Sequence, residues 1–284
     1  MYRSFFGLVS RPFGKTPDPA FLYESRRHRE ALARLEYAVE EMDLALLTGP
    51  IGSGKTTITR ALLDRLGEDR KPILIVHPRL SPTQLLQAVA GGLGAAPVRG
   101  KHDLVGEIQE KLYQLHEEGR KAVLIIDEAQ LIPSKHTFDE IRLLTNFQLD
   151  DVNLISVILV GQPELDVRLR RKEYDALRQR IGIRFSLDSL DEEETGRYLE
   201  HRIEKAGGAK NPFDPGAVKR IHEVTGGVPR LINSLATTCL LEAFGREKKG
   251  INEEIVAAAA EELDLLPVVE AKKRGRLVAV KQHG

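Results

Sequence analysis

Residues 49–56 read Gly49-Pro50-Ile51-Gly52-Ser53-Gly54-Lys55-Thr56, a G-x-x-x-x-G-K-[ST] order suited to holding a triphosphate tail. Its glycines let successive backbone N–H groups turn inward around phosphate oxygens, and a following helix adds the positive end of its dipole. Lys55 is expected to reach the β- and γ-phosphates and the Thr56 hydroxyl to ligate Mg²⁺, with Thr57 counted among the nucleotide-binding residues. In isolation the same letters describe a glycine-rich turn with no ligand. The flanks favour phosphate: the apolar run 44–47 reads as a short buried strand, and Ile58, Ala61, Leu62 and Leu66 recur at helical spacing. A second set, Asp127-Glu128-Ala129-Gln130, follows the apolar run 122–126 directly. A carboxylate at the C-terminal end of a buried parallel strand sits where ligands bind in open α/β sheets. Asp127 is placed to hold Mg²⁺ through its water shell, since Mg²⁺ dehydrates reluctantly. Glu128 suits a general base acting on water. Alone, an Asp-Glu pair opening a solvated turn is common; the glycine loop is what favours the catalytic reading.

Strands must carry these residues to one edge. Apolar runs are expected as strands at 44–47, 72–77, 122–126, 154–160 and 183–187, alternating with helical patterns, which argues an open α/β parallel sheet. Ser81-Pro82 starts one helix by the N-cap and Pro-at-N1 rule. A Gly/Ala/Pro-rich loop at 94–102 precedes another at 103–118. From 191 onward only helices are expected, at 191–206, 214–224, 229–246 and 252–263. The resulting division is an aromatic and Pro-rich arm (1–24), an α/β domain (25–189), a helical domain (190–264) and a basic flexible tail (265–284). The arm's prolines forbid a long helix, and its aromatics are expected to wrap an adjoining surface, on the adenine side of the site.

Lys+Arg and Asp+Glu each total 42, so the formal net charge is zero and any nucleic-acid surface must be a local patch. The one cysteine, Cys239, excludes an intramolecular disulfide and reads as core. No apolar run is long enough to span a bilayer and no signal peptide is seen, so a cytoplasmic location is expected.

The order strand, G-x-x-x-x-G-K-T, strand, apolar run ending in Asp-Glu, polar-ended strand, paired arginines and helical appendage resembles an AAA+ ATPase. More narrowly, Phe5-Phe6-Gly7-Leu8, Pro12-Phe13, Thr16-Pro17-Asp18-Pro19, Phe21-Leu22-Tyr23 and His28 resemble the ExeA-type (general secretion pathway protein A) group. So do Leu143-Leu144-Thr145-Asn146, Val160-Gly161-Gln162-Pro163-Glu164-Leu165 and Pro229-Arg230-Leu231-Ile232-Asn233. The same ATPase branch includes transposition regulators of the TnsC, TniB, MuB and IstB type. The resemblance implies a P-loop AAA+ parallel-sheet sandwich with a C-terminal all-helical lid, binding ATP and Mg²⁺. It assigns Gln162 as the polar sensor of the γ-phosphate or attacking water, where many relatives carry Asn. Arg178 and Arg180 become candidates for an arginine finger given to a neighbouring subunit, with Arg180 preferred. Arg230 becomes the lid arginine that reports nucleotide state. A finger supplied in trans implies a homo-oligomeric ring or helical filament.

Two biological readings follow from the resemblance. One is a transposition regulator that assembles with ATP on double-stranded DNA and recruits a transposase; the other is a secretion-type envelope-assembly ATPase. Relatives of the second kind continue into a membrane span and a peptidoglycan-binding module that this sequence lacks, which favours the first. A signalling ATPase with protein partners only is a third possibility. If DNA is bound, Arg99, Lys101 and Lys135 are the candidate backbone contacts.

Overall fold

The computed structural model describes residues 1–14, 21, 23–98, 100–149 and 152–265. Arg99, the 16–19 segment of the arm, Leu22 and the tail beyond 265 lie outside the described residues. In chain order the first elements are α1 (Tyr2–Phe5), α2 (Arg26–Glu40), β1 (Leu44–Thr48), α3 (Lys55–Arg65), β2 (Arg70–Ile75), α4 (Pro82–Leu93) and α5 (Lys101–Glu117). There follow β3 (Lys121–Ile126), α6 (Lys135–Leu144), β4 (Gln148–Leu149), β5 (Val152–Asn153), β6 (Ile155–Gly161), α7 (Pro163–Leu169), α8 (Asp175–Arg180) and β7 (Ile181–Ser186). Helices α9 (Glu192–Lys205), α10 (Pro215–Thr225), α11 (Pro229–Gly245) and α12 (Glu253–Glu262) complete the order.

The chain folds as two compact units. One comprises Arg26–Ile51 and Ile58–Leu187; the other comprises Met1–Ser25, Gly52–Thr57 and the chain from Asp188 onward. The first unit is built on a five-stranded sheet of order β2-β3-β6-β1-β7, with every pairing parallel. β1 and β6 are buried along their whole length and β3 at all but its first residue. That is the burial a parallel strand covered on both faces must have, and it explains their near-continuous apolar sequences. The exception within β6, Ser156, donates its hydroxyl to the Asp43 carbonyl at 3.0 Å. The α/β parallel-sheet architecture expected from the sequence is what forms. β2 is an edge strand, so Pro72 costs the sheet no central hydrogen bond. It begins two residues before the expected 72–77 run, because Arg70 and Lys71 extend the ladder opposite Lys121 and Ala122. The expected 183–187 strand likewise starts earlier, at Ile181.

One sheet face carries Leu46, Ile73, Ile75, Leu124, Ile126, Val157 and Leu159 into a core completed by α4 to α8. Each such fully buried Leu or Ile contributes about 1.5–3 kcal/mol. α4 starts at a capping box: the Ser81 side chain accepts from Gln84 N–H while the Gln84 side chain accepts from Ser81 N–H. α5 opens at Lys101 rather than 103, with Gly100 as N-cap at φ 102°.

In the second unit α9 to α12 bury Leu199, Ile203, Ile221, Ile232, Leu235, Leu240, Ile255 and Val256 together. The described part of the arm packs on this unit: Leu8 and Phe13 join its core. Phe5 meets Phe244 edge-on at 5.4 Å, and Phe13 meets Phe213 at 6.0 Å. Arg202, only 8% exposed, pins the arm; its Nε donates to the Pro12 carbonyl at 2.5 Å, and its guanidinium lies 4.8 Å from the Phe21 ring. Cys239 is fully buried, and burial pushes its thiol up to about 12, so it is an inert core group. Arg202→Ala leaves the Pro12 carbonyl without this donor. Urea unfolding of that variant is expected to show a loss of about 2–3 kcal/mol, accompanied by faster proteolysis within the arm.

Candidate functional site

In the sheet unit, the C-terminal ends of β1, β6 and β3 stand side by side. The chain leaves β1 toward β2 on one side of the sheet and leaves β6 toward β7 on the other. The β1/β6 pair is therefore the switch point at which open α/β sheets leave a crevice. Gly49, at the start of the loop, donates its N–H to the Gly161 carbonyl at 3.2 Å and so is tied to the end of β6. Pro50 and Ile51 continue the turn, with Ile51 exposed.

Asp127 caps β3 and is only 6% exposed. Its N–H donates to the Ile75 carbonyl at 2.9 Å, and its Oδ1 accepts the Glu128 N–H at 2.8 Å. Glu128 takes φ 52°, ψ 36° ahead of the 3-10 turn Ala129–Leu131. A non-glycine residue in this left-handed region costs on the order of 1–3 kcal/mol, which the surroundings must over-determine. They do so through side chains. Glu128 Oε2 accepts from Gln130 Nε2 at 2.5 Å and from Gln162 Nε2 at 3.3 Å. Gln130 Oε1 in turn accepts the Gln162 N–H at 3.0 Å. Residue 161 must be small for this to close: a Cβ there would stand 2.8 Å from Gln130 Oε1 and 2.7 Å from Leu165 Cδ2. The structure thus brings Asp127, Glu128 and Gln162 to adjoining strand ends. It adds Gln130, to which sequence reasoning gave no role although its place two residues after the glutamate was visible.

The two candidate finger arginines differ. Arg178 pairs with Asp175 at 2.8 Å within α8 and borders a cavity of about 600 Å³ shared with Arg170, Arg184 and Ser186. Arg180 is exposed and donates to Asn146 Oδ1 at 2.7 Å. Arg168, ten residues before Arg178, is half-buried. Its Nη1 donates to the Ile132 carbonyl and its guanidinium lies 4.9 Å from the Phe138 ring.

The remainder of the glycine loop belongs to the helical unit. Gly52 and Gly54 take φ 81° and 100°, values that place backbone N–H groups in a turn side chains disfavour. Ser53 is fully buried, Lys55 at the start of α3 is 6% exposed, Thr56 is exposed and Thr57 half-buried. The Arg230 N–H donates to the Gly52 carbonyl at 3.3 Å, and a Cβ on Gly52 would fall 2.5 Å from Arg230 Cβ. Pro229 fills the first position of α11, as the N1 rule requires, and leaves the Arg230 side chain exposed. A buried ammonium on a glycine-rich turn fits a polyphosphate, and a hydroxyl and a strand-end carboxylate are the hard oxygen donors that Mg²⁺ takes.

Of the candidate DNA contacts, Lys101 is the first residue of α5 and binds the buried Glu140 carboxylate at 2.5 Å. Lys135 starts α6 and pairs with Asp139 at 2.6 Å. Arg99 lies outside the described residues. Among the described residues no helix is long and apolar enough to cross a membrane.

Comparison with known proteins agrees with this geometry. Residues 40–169 match the AAA domain family. General secretion pathway protein A of Aeromonas hydrophila is 36% identical over 284 residues, covering 99% of this chain and 52% of that protein. The chain therefore spans about half the length of that relative. ORC1-type DNA replication protein 9 of Halobacterium salinarum is 23% identical over 261 residues, 86% of this chain and 69% of the relative. Among solved structures, the Aeropyrum pernix ORC1 protein in complex with DNA superposes with a TM-score of 0.63 at 20% identity, covering 89% of this chain and 69% of that one. The fold is shared with the ORC1 structure, and residues 40–169 of this chain match the AAA domain model.

Proposed function

We propose that the chain binds Mg²⁺-ATP and hydrolyses it at subunit interfaces. The observation that carries this reading is the convergence of Asp127, Glu128 and Gln162 at strand ends adjoining the start of the glycine loop. Lys55 and the loop N–H groups hold the phosphates; Thr56 and Asp127 hold the metal. Mg²⁺, when bound, neutralises charge on the phosphate oxygens. Glu128 orients and deprotonates the attacking water, and Gln162 senses the γ-phosphate beside it. Arg180 is the better finger, because Asn146 orients it outward while Arg178 is engaged by Asp175. Arg230 reports the nucleotide state of its own subunit. A finger acting in trans requires a ring or helical filament of identical subunits.

For the biological setting, the 36% identical relative named for general secretion favours an envelope-assembly ATPase acting from the cytoplasmic side. A second reading, assembly on double-stranded DNA to direct a transposase, draws on the ORC-type relatives, one of them solved with DNA. Zero net charge argues that such DNA binding would be local and salt-sensitive.

Lys55→Ala is expected to weaken ATP binding at least about tenfold, since a charge-assisted phosphate contact is lost; a fluorescent-nucleotide titration measures it. Glu128→Gln is expected to bind ATP normally and to lose about 100-fold or more in single-turnover hydrolysis. Retained turnover would remove Glu128 as the base. Electron microscopy with a slowly hydrolysed ATP analogue, with and without duplex DNA, separates the two settings. Assemblies that form only around DNA favour the second reading; assemblies indifferent to DNA favour the first.

A further inference from the structure

We infer that Gln130 is a positioning residue for hydrolysis: its amide fixes the plane of the Glu128 carboxylate so that one oxygen faces the attacking water, and locks that carboxylate to the end of β6. The inference rests on the reading of Glu128 as general base. Gln130 Nε2 and Gln162 Nε2 both donate to Glu128 Oε2, at 2.5 and 3.3 Å. Glu128 Oε1 receives no hydrogen bond from the described residues. Two amide donors on one oxygen stabilise charge there and leave the other as the oxygen with capacity to take a proton from water. Turning the carboxylate plane away from these donors costs both bonds.

The geometry also requires an amide at position 130. Oε1 of Gln130 accepts the Gln162 N–H at 3.0 Å while its Nε2 serves Glu128. Reversing the amide would set oxygen against carboxylate and NH₂ against N–H, so the network fixes its orientation. A glutamate there keeps the acceptor but cannot donate, and it sets a second negative charge against Glu128. A methionine fills the same space and does neither. Gly161 supplies the clearance, since a Cβ would stand 2.8 Å from Gln130 Oε1. One side chain therefore ties the base to the backbone of the strand that ends in the candidate sensor.

The test uses the full chain with Gln130→Met and Gln130→Glu, reading ATP turnover, ATP affinity and the urea midpoint for each. Both variants are expected to lose about 10- to 100-fold in kcat, the cost of a misplaced catalytic group, with ATP affinity unchanged and a urea midpoint that keeps the chain folded under assay conditions. Gln130→Glu at wild-type turnover beside a slow Gln130→Met would mean that only the bond to Gln162 matters, and would overturn the proposal. Wild-type turnover in both would overturn it too, as would a fall in affinity that accounts for the lost rate. The base reading is checked separately: its failure shows as hydrolysis persisting in Glu128→Gln or absent from the wild type, whatever the Gln130 variants do.

Discussion

Backbone hydrogen bonding in β1, β3 and β6 is the constraint from which the rest of the sheet unit follows. Strands buried on both faces have no water to turn to, so every N–H and C=O must meet a neighbouring strand. Parallel pairing satisfies that need and brings all the C-termini to one edge. Side chains along these strands are then nearly all apolar, and polar chemistry gathers where the ladder stops. Thr48, Asp127 and Gln162 stand at or just beyond that boundary on three adjacent strands. Their proximity is a consequence of sheet order, since the segments are distant in sequence.

Much of this was legible in the residues. The runs 122–126 and 154–160 announce central strands because parallel strands cannot alternate polar and apolar residues. The glycine loop and the Asp-Glu pair declare their places because each follows such a run directly. Edge strands were harder to bound: Arg70 and Lys71 of β2 and Ile181 of β7 pair as strand although their polarity or spacing lies outside a simple apolar run. The start of α5 was missed because Gly100, not a side-chain cap, precedes it. Gln130 stayed silent for a different reason. Its role is set by one hydrogen bond to a residue two places before it and another to a residue 32 positions beyond it. No local pattern encodes a contact of that range.

Polar placement outside the sheet follows a similar rule. Lys101 and Lys135 look in sequence like free surface cations, yet each lies within reach of a carboxylate on α6. Arg168 and Arg202 are withdrawn from solvent, in part or wholly, by stacking on aromatic rings while their N–H groups serve backbone carbonyls. Guanidinium suits such places because it is planar and weakly hydrated for a cation. Among the arginines near β7, the exposed Arg180 is held by a neutral amide, which orients it without cancelling its charge. That distinction between a neutralised and a merely oriented cation separates structural arginines from those able to meet an anion on another molecule.

The state of Cys239 has a practical consequence. It is the one thiol of the chain, it lies within the helical core, and its thiolate is strongly disfavoured. Maleimide and iodoacetamide reagents attack thiolates, so the folded protein is chemically blank toward them. A single cysteine introduced on any exposed surface would carry its fluorophore or spin label alone. Distances within this chain can be followed without first removing a native cysteine.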